Sequence, residues 1–147
     1  MKMYASKNIR NVAVVGHGDT GKTSLVSAML YRAGAVAHLG KITEKNTVTD
    51  YDEDEKERGI SLSTSVAYCE WLDTKINFLD TPGYSNFIHD AKAAMRVADC
   101  ALIVVSGVDG VQVQTERLWD WAVQFELPVI FVVNLLDRER ANFDLAY

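Results

Sequence analysis

Eight residues, Gly16-His17-Gly18-Asp19-Thr20-Gly21-Lys22-Thr23, follow the spacing G-x-x-x-x-G-K-T. They lie between the apolar run Val12 to Val15 and a helical pattern through Leu25, Ala28, Met29 and Arg32. Glycines at this spacing let consecutive backbone N–H groups converge on a polyphosphate without Cβ clashes, and the helix that begins there adds its partially positive end. In such a loop Lys22 reaches the β and γ phosphates, and Thr23 offers a hydroxyl to the magnesium ion that bridges them. Ser24, next along the turn, counts with the loop as a nucleotide-binding candidate. The competing reading is an ordinary glycine-rich turn.

The rest of the chain repeats the strand-then-helix order. Ile76 to Leu79, Ala101 to Val105 and Val129 to Val133 are short apolar runs bounded by Gly, Asp, Pro or Asn, as buried strands are. Helical patterns run through Phe87, Ala91, Ala94, Met95 and Ala98, and through Leu118, Ala122 and Phe125. Continuously apolar strands alternating with helices predict an α/β fold, a mostly parallel sheet covered on both faces. Ile60 to Cys69 instead alternates, which predicts a half-exposed strand at an edge. Gly34 to Gly59 has no convincing period and carries an acidic run from Asp50 to Glu57. It reads as a solvated loop or, given its place after the phosphate loop, as a functional one.

With 147 residues and 48% hydrophobic composition, one domain with one core is the expectation. A formal net charge of -5 argues against autonomous nucleic-acid binding and against attraction to anionic lipid. No apolar run approaches the length of a membrane span, and Met1 to Arg10 lacks a secretory core, so a cytoplasmic protein is expected. Cys69 and Cys100 show no metal or redox spacing, and His17, His38 and His89 show no ligand spacing. Trp71, Trp119 and Trp121 read as packing residues, with one available to an interface.

Three further segments carry chemistry. Asp80-Thr81-Pro82-Gly83 closes the Ile76 to Leu79 strand and puts Asp80 at a strand's carboxyl end, where ligands of open α/β sheets collect. There Asp80 can hold magnesium through water, and the Gly83 N–H can meet a γ-phosphate. By itself the segment is also a plain tight turn. Asn134-Leu135-Leu136-Asp137 ends the Val129 to Val133 strand on the same edge. A carboxylate at Asp137 can accept both N1–H and N2–H of guanine, whereas adenine would leave it unsatisfied. Ser61, after Arg58-Gly59-Ile60, can add a hydroxyl to magnesium when its loop folds over a triphosphate, or it is a plain polar strand residue.

Taken in order, the phosphate loop, Glu57-Arg58-Gly59-Ile60, Asp80 to Gly83, and Asn134 to Asp137 followed by Arg138-Glu139-Arg140-Ala141-Asn142-Phe143 resemble the translational GTPases, specifically elongation factor G. The resemblance implies a three-layer P-loop NTPase fold of the small G-protein type with sheet order 2-3-1-4-5-6. It implies a phosphate loop at 16–23, switch I at about 35–61, switch II at about 80–97 and a guanine motif at 134–137. GTP, GDP and magnesium are the implied ligands, and the ribosome is the implied partner of a longer protein. Hydrolysis in that family is coupled to translocation or to subunit recycling.

Three positions depart from the family. Tyr84 stands where the family carries the histidine that orients the attacking water; a phenol with pKa near 10 is a poor proton acceptor. Divergent elongation-factor-G-like paralogues share this tyrosine. Leu135 replaces the lysine of N-K-x-D, so lower guanine affinity is expected with Asp137 keeping specificity. Ser61 replaces threonine and keeps the hydroxyl. The family's final strand and helix would lie beyond Tyr147, so the resemblance implies a truncated piece, with Val129 to Val133 as an exposed edge prone to self-association. Three functional readings follow: a slow GTPase domain, a nucleotide-sensing module with negligible hydrolysis, or a P-loop ATPase or small-molecule kinase in which N-L-L-D is accidental.

Overall fold

A computed structural model describes residues 2–146 and, within them, every side chain but that of Leu145. Met1 and Tyr147, the expected domain limits, lie outside the described residues. Five strands form one sheet: β1 (Ile9–Gly16), β2 (Ser65–Trp71), β3 (Thr74–Asp80), β4 (Cys100–Ser106) and β5 (Val129–Asn134). Their order is β2-β3-β1-β4-β5. β1 runs parallel to β3 and β4, and β4 parallel to β5; β2 alone is antiparallel, joined to β3 through Leu72 and Asp73, both at positive φ. Every parallel pair needs a crossover, and the helices supply it: α1 (Lys22–Arg32), α3 (Ile88–Val97) and α4 (Val113–Gln124), with the shorter α2 (Glu53–Arg58) and α5 (Phe143–Ala146) at the margins.

Period-2 alternation sorts each central strand between two cores. Ala13 and Val15 of β1, with Ala101, Ile103 and Val105 of β4, pack against Ile88, Ala91 and Met95 of α3 and Leu118 and Ala122 of α4. Val14, Leu102, Val104 and Phe78 face the other way, onto Val26 and Leu30 of α1. The result is three layers, helix on sheet on helix. Val14, Val15, Val26 and Leu118 are completely buried, and each such side chain contributes about 1.5–3 kcal/mol of transfer free energy.

Two expectations about elements are corrected. The edge strand spans Ser65–Trp71 and leaves out Ile60 to Thr64, where Glu55 accepts from the Leu62 and Ser63 N–H groups at 2.9 and 3.3 Å. Its buried face carries Ser65, Ala67 and Cys69, and Val66 and Tyr68 face outward. The 34–59 segment is also not featureless. It folds a 3-10 turn at Ile42–Glu44 and then α2, where Asp52 caps the Asp54 N–H at 2.9 Å. Within the acidic run Asp50 and Glu55 are buried, so a solvated face describes only part of it. Among the tryptophans only Trp121 packs against a core; Trp71 and Trp119 are almost half exposed, and Trp119 stacks on Phe131 of β5 at 5.6 Å. Among the described residues no helix is long and apolar enough to cross a membrane.

Candidate functional site

The carboxyl ends of β1, β3 and β5 line one edge of the sheet, and the loops that leave them meet there. β1 stops at Gly16, at φ 156, where a Cβ would run into the Val104 carbonyl. Gly21 caps α1 at φ 83 and no side chain bonds the helix's first N–H groups, whereas Asp52 caps α2 and a Gln112–Thr115 box caps α4. Open N–H groups at such an end favour an anion. Lys22 is buried beneath the loop. Its Nζ donates to the His17 carbonyl at 2.8 Å, and burial lowers its pKa to about 8 against the partial support of the Asp80 and Asp19 charges. Thr20 also donates to the His17 carbonyl, at 3.0 Å. His17 and Gly18 are half-buried along this loop, Asp19 is exposed at φ 60, and Ser24 is exposed.

Beside Lys22 sits a second set of oxygens. Asp80, at the end of β3, accepts from the Thr49 hydroxyl at 2.7 Å, and its other oxygen, Oδ1, is buried with no partner. Burial raises its pKa to about 6 despite the Thr49 and Thr23 hydroxyls and the Lys22 charge. The Thr23 and Ser61 hydroxyl oxygens lie 3.2 Å apart, and Ser61 donates to Asp50 at 2.8 Å. An unsatisfied buried carboxylate oxygen with two hydroxyl oxygens is a hard-oxygen donor set that fits a small divalent cation completed by water. Thr23, Ser61 and Asp80, named from sequence, therefore meet. Thr49, Asp50 and Glu55 were missed: the acidic run concealed them, and only the threonines at 47 and 49 distinguished its start from a solvated stretch.

Gly83 and Tyr84 press on the phosphate loop from above. A Cβ on Gly83 would clash with Lys22 Nζ and lie 2.6 Å from the His17 carbonyl oxygen and 2.7 Å from the Gly18 nitrogen. The Tyr84 hydroxyl donates to Asp19 at 2.9 Å. Burial first, and then the Asp19 carboxylate, raise the pKa of that phenol. The cleft bounded by the loop, Asp50, Ser61, Gly83 and Tyr84 holds about 60 Å³.

The segment from Asn134 to Asp137 joins this edge through one bond. Asn134 donates from Nδ2 to the Thr20 carbonyl at 2.9 Å, and a Cβ on Gly21 would come within 2.5 Å of that nitrogen. Leu135 turns at φ 62, and the Gly107 N–H holds the Asn134 carbonyl at 2.7 Å. Asp137 is exposed, with no hydrogen bond or ion pair among the described residues. An open cleft of about 530 Å³, lined by Asp19, Ser106, Leu135 and Arg138, runs alongside.

The chain is similar to elongation factor G of Granulibacter bethesdensis, 39% identical over 147 residues, covering 100% of this chain and 21% of that protein. It is 40% identical over 143 residues to the mitochondrial ribosome-releasing factor 2 of Drosophila yakuba, covering 97% of this chain and 20% of that one. A Thermus thermophilus protein of known crystal structure superposes with a TM-score of 0.84 at 42% identity, over 88% of this chain and 20% of the other. The chain thus spans about a fifth of the length of these relatives. The family described as the elongation factor Tu GTP binding domain matches residues 7–147, a span that takes in all three loops at the sheet edge, and the chain belongs to that family.

Proposed function

We propose that the chain binds GTP and GDP and slowly hydrolyses GTP, as the nucleotide domain of a ribosome-associated protein like elongation factor G in translocation or ribosome recycling. The observation that carries this reading is the buried pair at the phosphate loop: Lys22, whose Nζ donates to the His17 carbonyl, and Asp80, whose Oδ1 has no partner among the described residues. A phosphate chain and a cation supply what each lacks. Gly16 to Ser24 surround the phosphates, Asn134 holds the loop to the base motif, and Asp137 reads guanine. Thr23, Ser61 and Asp80 would hold magnesium, which when bound withdraws charge from the β and γ phosphates. The relatives' names support the ribosomal setting, and bacterial elongation factor G among them supports a cytoplasmic location.

Hydrolysis forms a bond from water oxygen to the γ-phosphorus and breaks the bond to the bridging oxygen, with the water's proton ending on phosphate. Lys22 and the Gly83 N–H stabilise the transferring group. Tyr84 occupies the position that orients the water in the family; its phenol stays protonated, and a neutral phenol is a poor proton acceptor, so turnover is slow. The Tyr84 bond to Asp19 favours the second reading, a nucleotide sensor with negligible hydrolysis. Single-turnover hydrolysis with and without ribosomes separates the two. Ribosome-stimulated turnover that rises further in Tyr84→His supports the GTPase. No turnover above buffer in either protein leaves the sensor.

The β5 edge adds a partner. Ile130 and Phe131 are about half exposed on a strand with one side unpaired among the described residues, and such edges pair with other chains. Self-association through residues 129–133 is expected in sedimentation, and Phe131→Lys should abolish it.

A further inference from the structure

We infer that Tyr84 is a specificity residue that favours a bound diphosphate over a triphosphate, because its bond to Asp19 holds Gly83 in the space a third phosphate needs. This rests on the nucleotide reading above and goes beyond it.

The space comes first. Gly83 is buried against Lys22 Nζ, the His17 carbonyl and the Gly18 nitrogen so closely that a single methyl group would collide with all three. The third phosphate of a nucleotide seated in this loop lies between Lys22 and Gly83, the two groups assigned to it. A phosphoryl group is larger than a methyl, so Gly83 must withdraw for the third phosphate to enter. The first two phosphates rest on the loop N–H groups and impose no such demand.

Withdrawal is resisted at identifiable points. Upstream, Thr81 is fixed to β1, its hydroxyl donating to the Val14 carbonyl at 2.8 Å and its N–H to the same oxygen at 3.3 Å. Downstream, the Phe87 N–H donates to the Tyr84 carbonyl at 3.0 Å, at the turn that leads into α3. Between them, Tyr84 lays its ring over Gly18, where an added Cβ would lie 3.2 Å from ring carbons, and its hydroxyl reaches Asp19. Adjacent Cα atoms stay about 3.80 Å apart across a trans peptide, so Gly83 cannot retreat while Tyr84 remains latched to the loop. A hydroxyl spent on Asp19 is also not spent on water.

A ligand shifts a two-state equilibrium only by its differential affinity. The triphosphate must break the latch and the diphosphate need not, so the latch weakens only the first. The bond is to a charged acceptor at a part-exposed site, which sets a modest effect, a change of roughly three- to tenfold.

Equilibrium titrations with GDP and with a non-hydrolysable GTP analogue, on the wild type, Tyr84→Phe, Asp19→Asn and the double variant, test this. Tyr84→Phe keeps the ring and removes the donor; it should shift the affinity ratio roughly three- to tenfold toward the triphosphate, and Asp19→Asn should add little to it in the double variant. An unchanged ratio with both nucleotides bound overturns the latch and leaves the nucleotide reading standing. Loss of all nucleotide binding in the wild type overturns that reading, and the specificity role with it. Amide hydrogen exchange of residues 83–87 without nucleotide checks the latch separately: it should quicken severalfold in Tyr84→Phe, and equal exchange overturns it.

Discussion

The two ends of the sheet edge differ in how much is built. At the phosphate end, Lys22, Asp80, Thr23, Ser61, Asp50 and Thr49 are bonded to one another or buried together, and the helix amides stand open. At the base end, Asp137 stands exposed and one Asn134 bond ties the motif to the phosphate loop. On the proposed function, affinity resides in the phosphate end and discrimination in the base end.

If that division holds, Lys22→Met should cost the most, a loss of roughly a hundredfold or more in nucleotide affinity with the circular dichroism spectrum unchanged, since a charge-assisted bond to phosphate is worth about 1.5–3 kcal/mol and more than one is lost. Asp137→Asn should leave GDP bound but reduce its preference over ADP by roughly tenfold or more, as expected when the hydrogen-bond pairing that tells the bases apart is lost. An equal loss for GDP and ADP would place Asp137 in affinity rather than discrimination.

Asp80 moves from 3.8 to about 6 on folding, so the folded chain holds its proton longer and stability falls as pH rises between those values. Lys22 moves from 10.5 to about 8, so it sheds its proton early, and stability recovers as pH rises between about 8 and 10.5. Both penalties are present near pH 7, where a bound phosphate and cation would offset them. Asp80→Asn should accordingly raise the melting temperature of the nucleotide-free chain at pH 7 by a few degrees, for about 1 kcal/mol, and remove the response to magnesium. A lower melting temperature would mean that the Thr49 bond outweighs burial. Asn134→Ala should likewise change stability by about 1 kcal/mol, here as a loss, and weaken every nucleotide alike.

What the sequence disclosed follows the same division. Strand runs and the three motifs are legible because buried parallel strands are continuously apolar and loop chemistry needs fixed residue types at fixed offsets. The 34–64 segment is not. Its structure comes from single side chains acting at a distance, Glu55 on the Leu62 and Ser63 amides and Asp50 on Ser61, and such bonds leave no period. Alternation at Ile60 to Ser63 imitates a strand, yet the Glu55 side chain captures the Leu62 and Ser63 amides that a ladder would have used. The Tyr84–Asp19 bond joins residues 65 apart and is equally invisible, although each residue is conspicuous in its own motif.

Calorimetric titration with GDP and with guanosine tests the central claim, that an anion seat around Lys22 supplies the affinity. The account predicts that GDP binds roughly a hundredfold or more tightly than guanosine and that Lys22→Met closes most of the gap. Guanosine binding as tightly as GDP, or a gap unmoved by Lys22→Met, would contradict it.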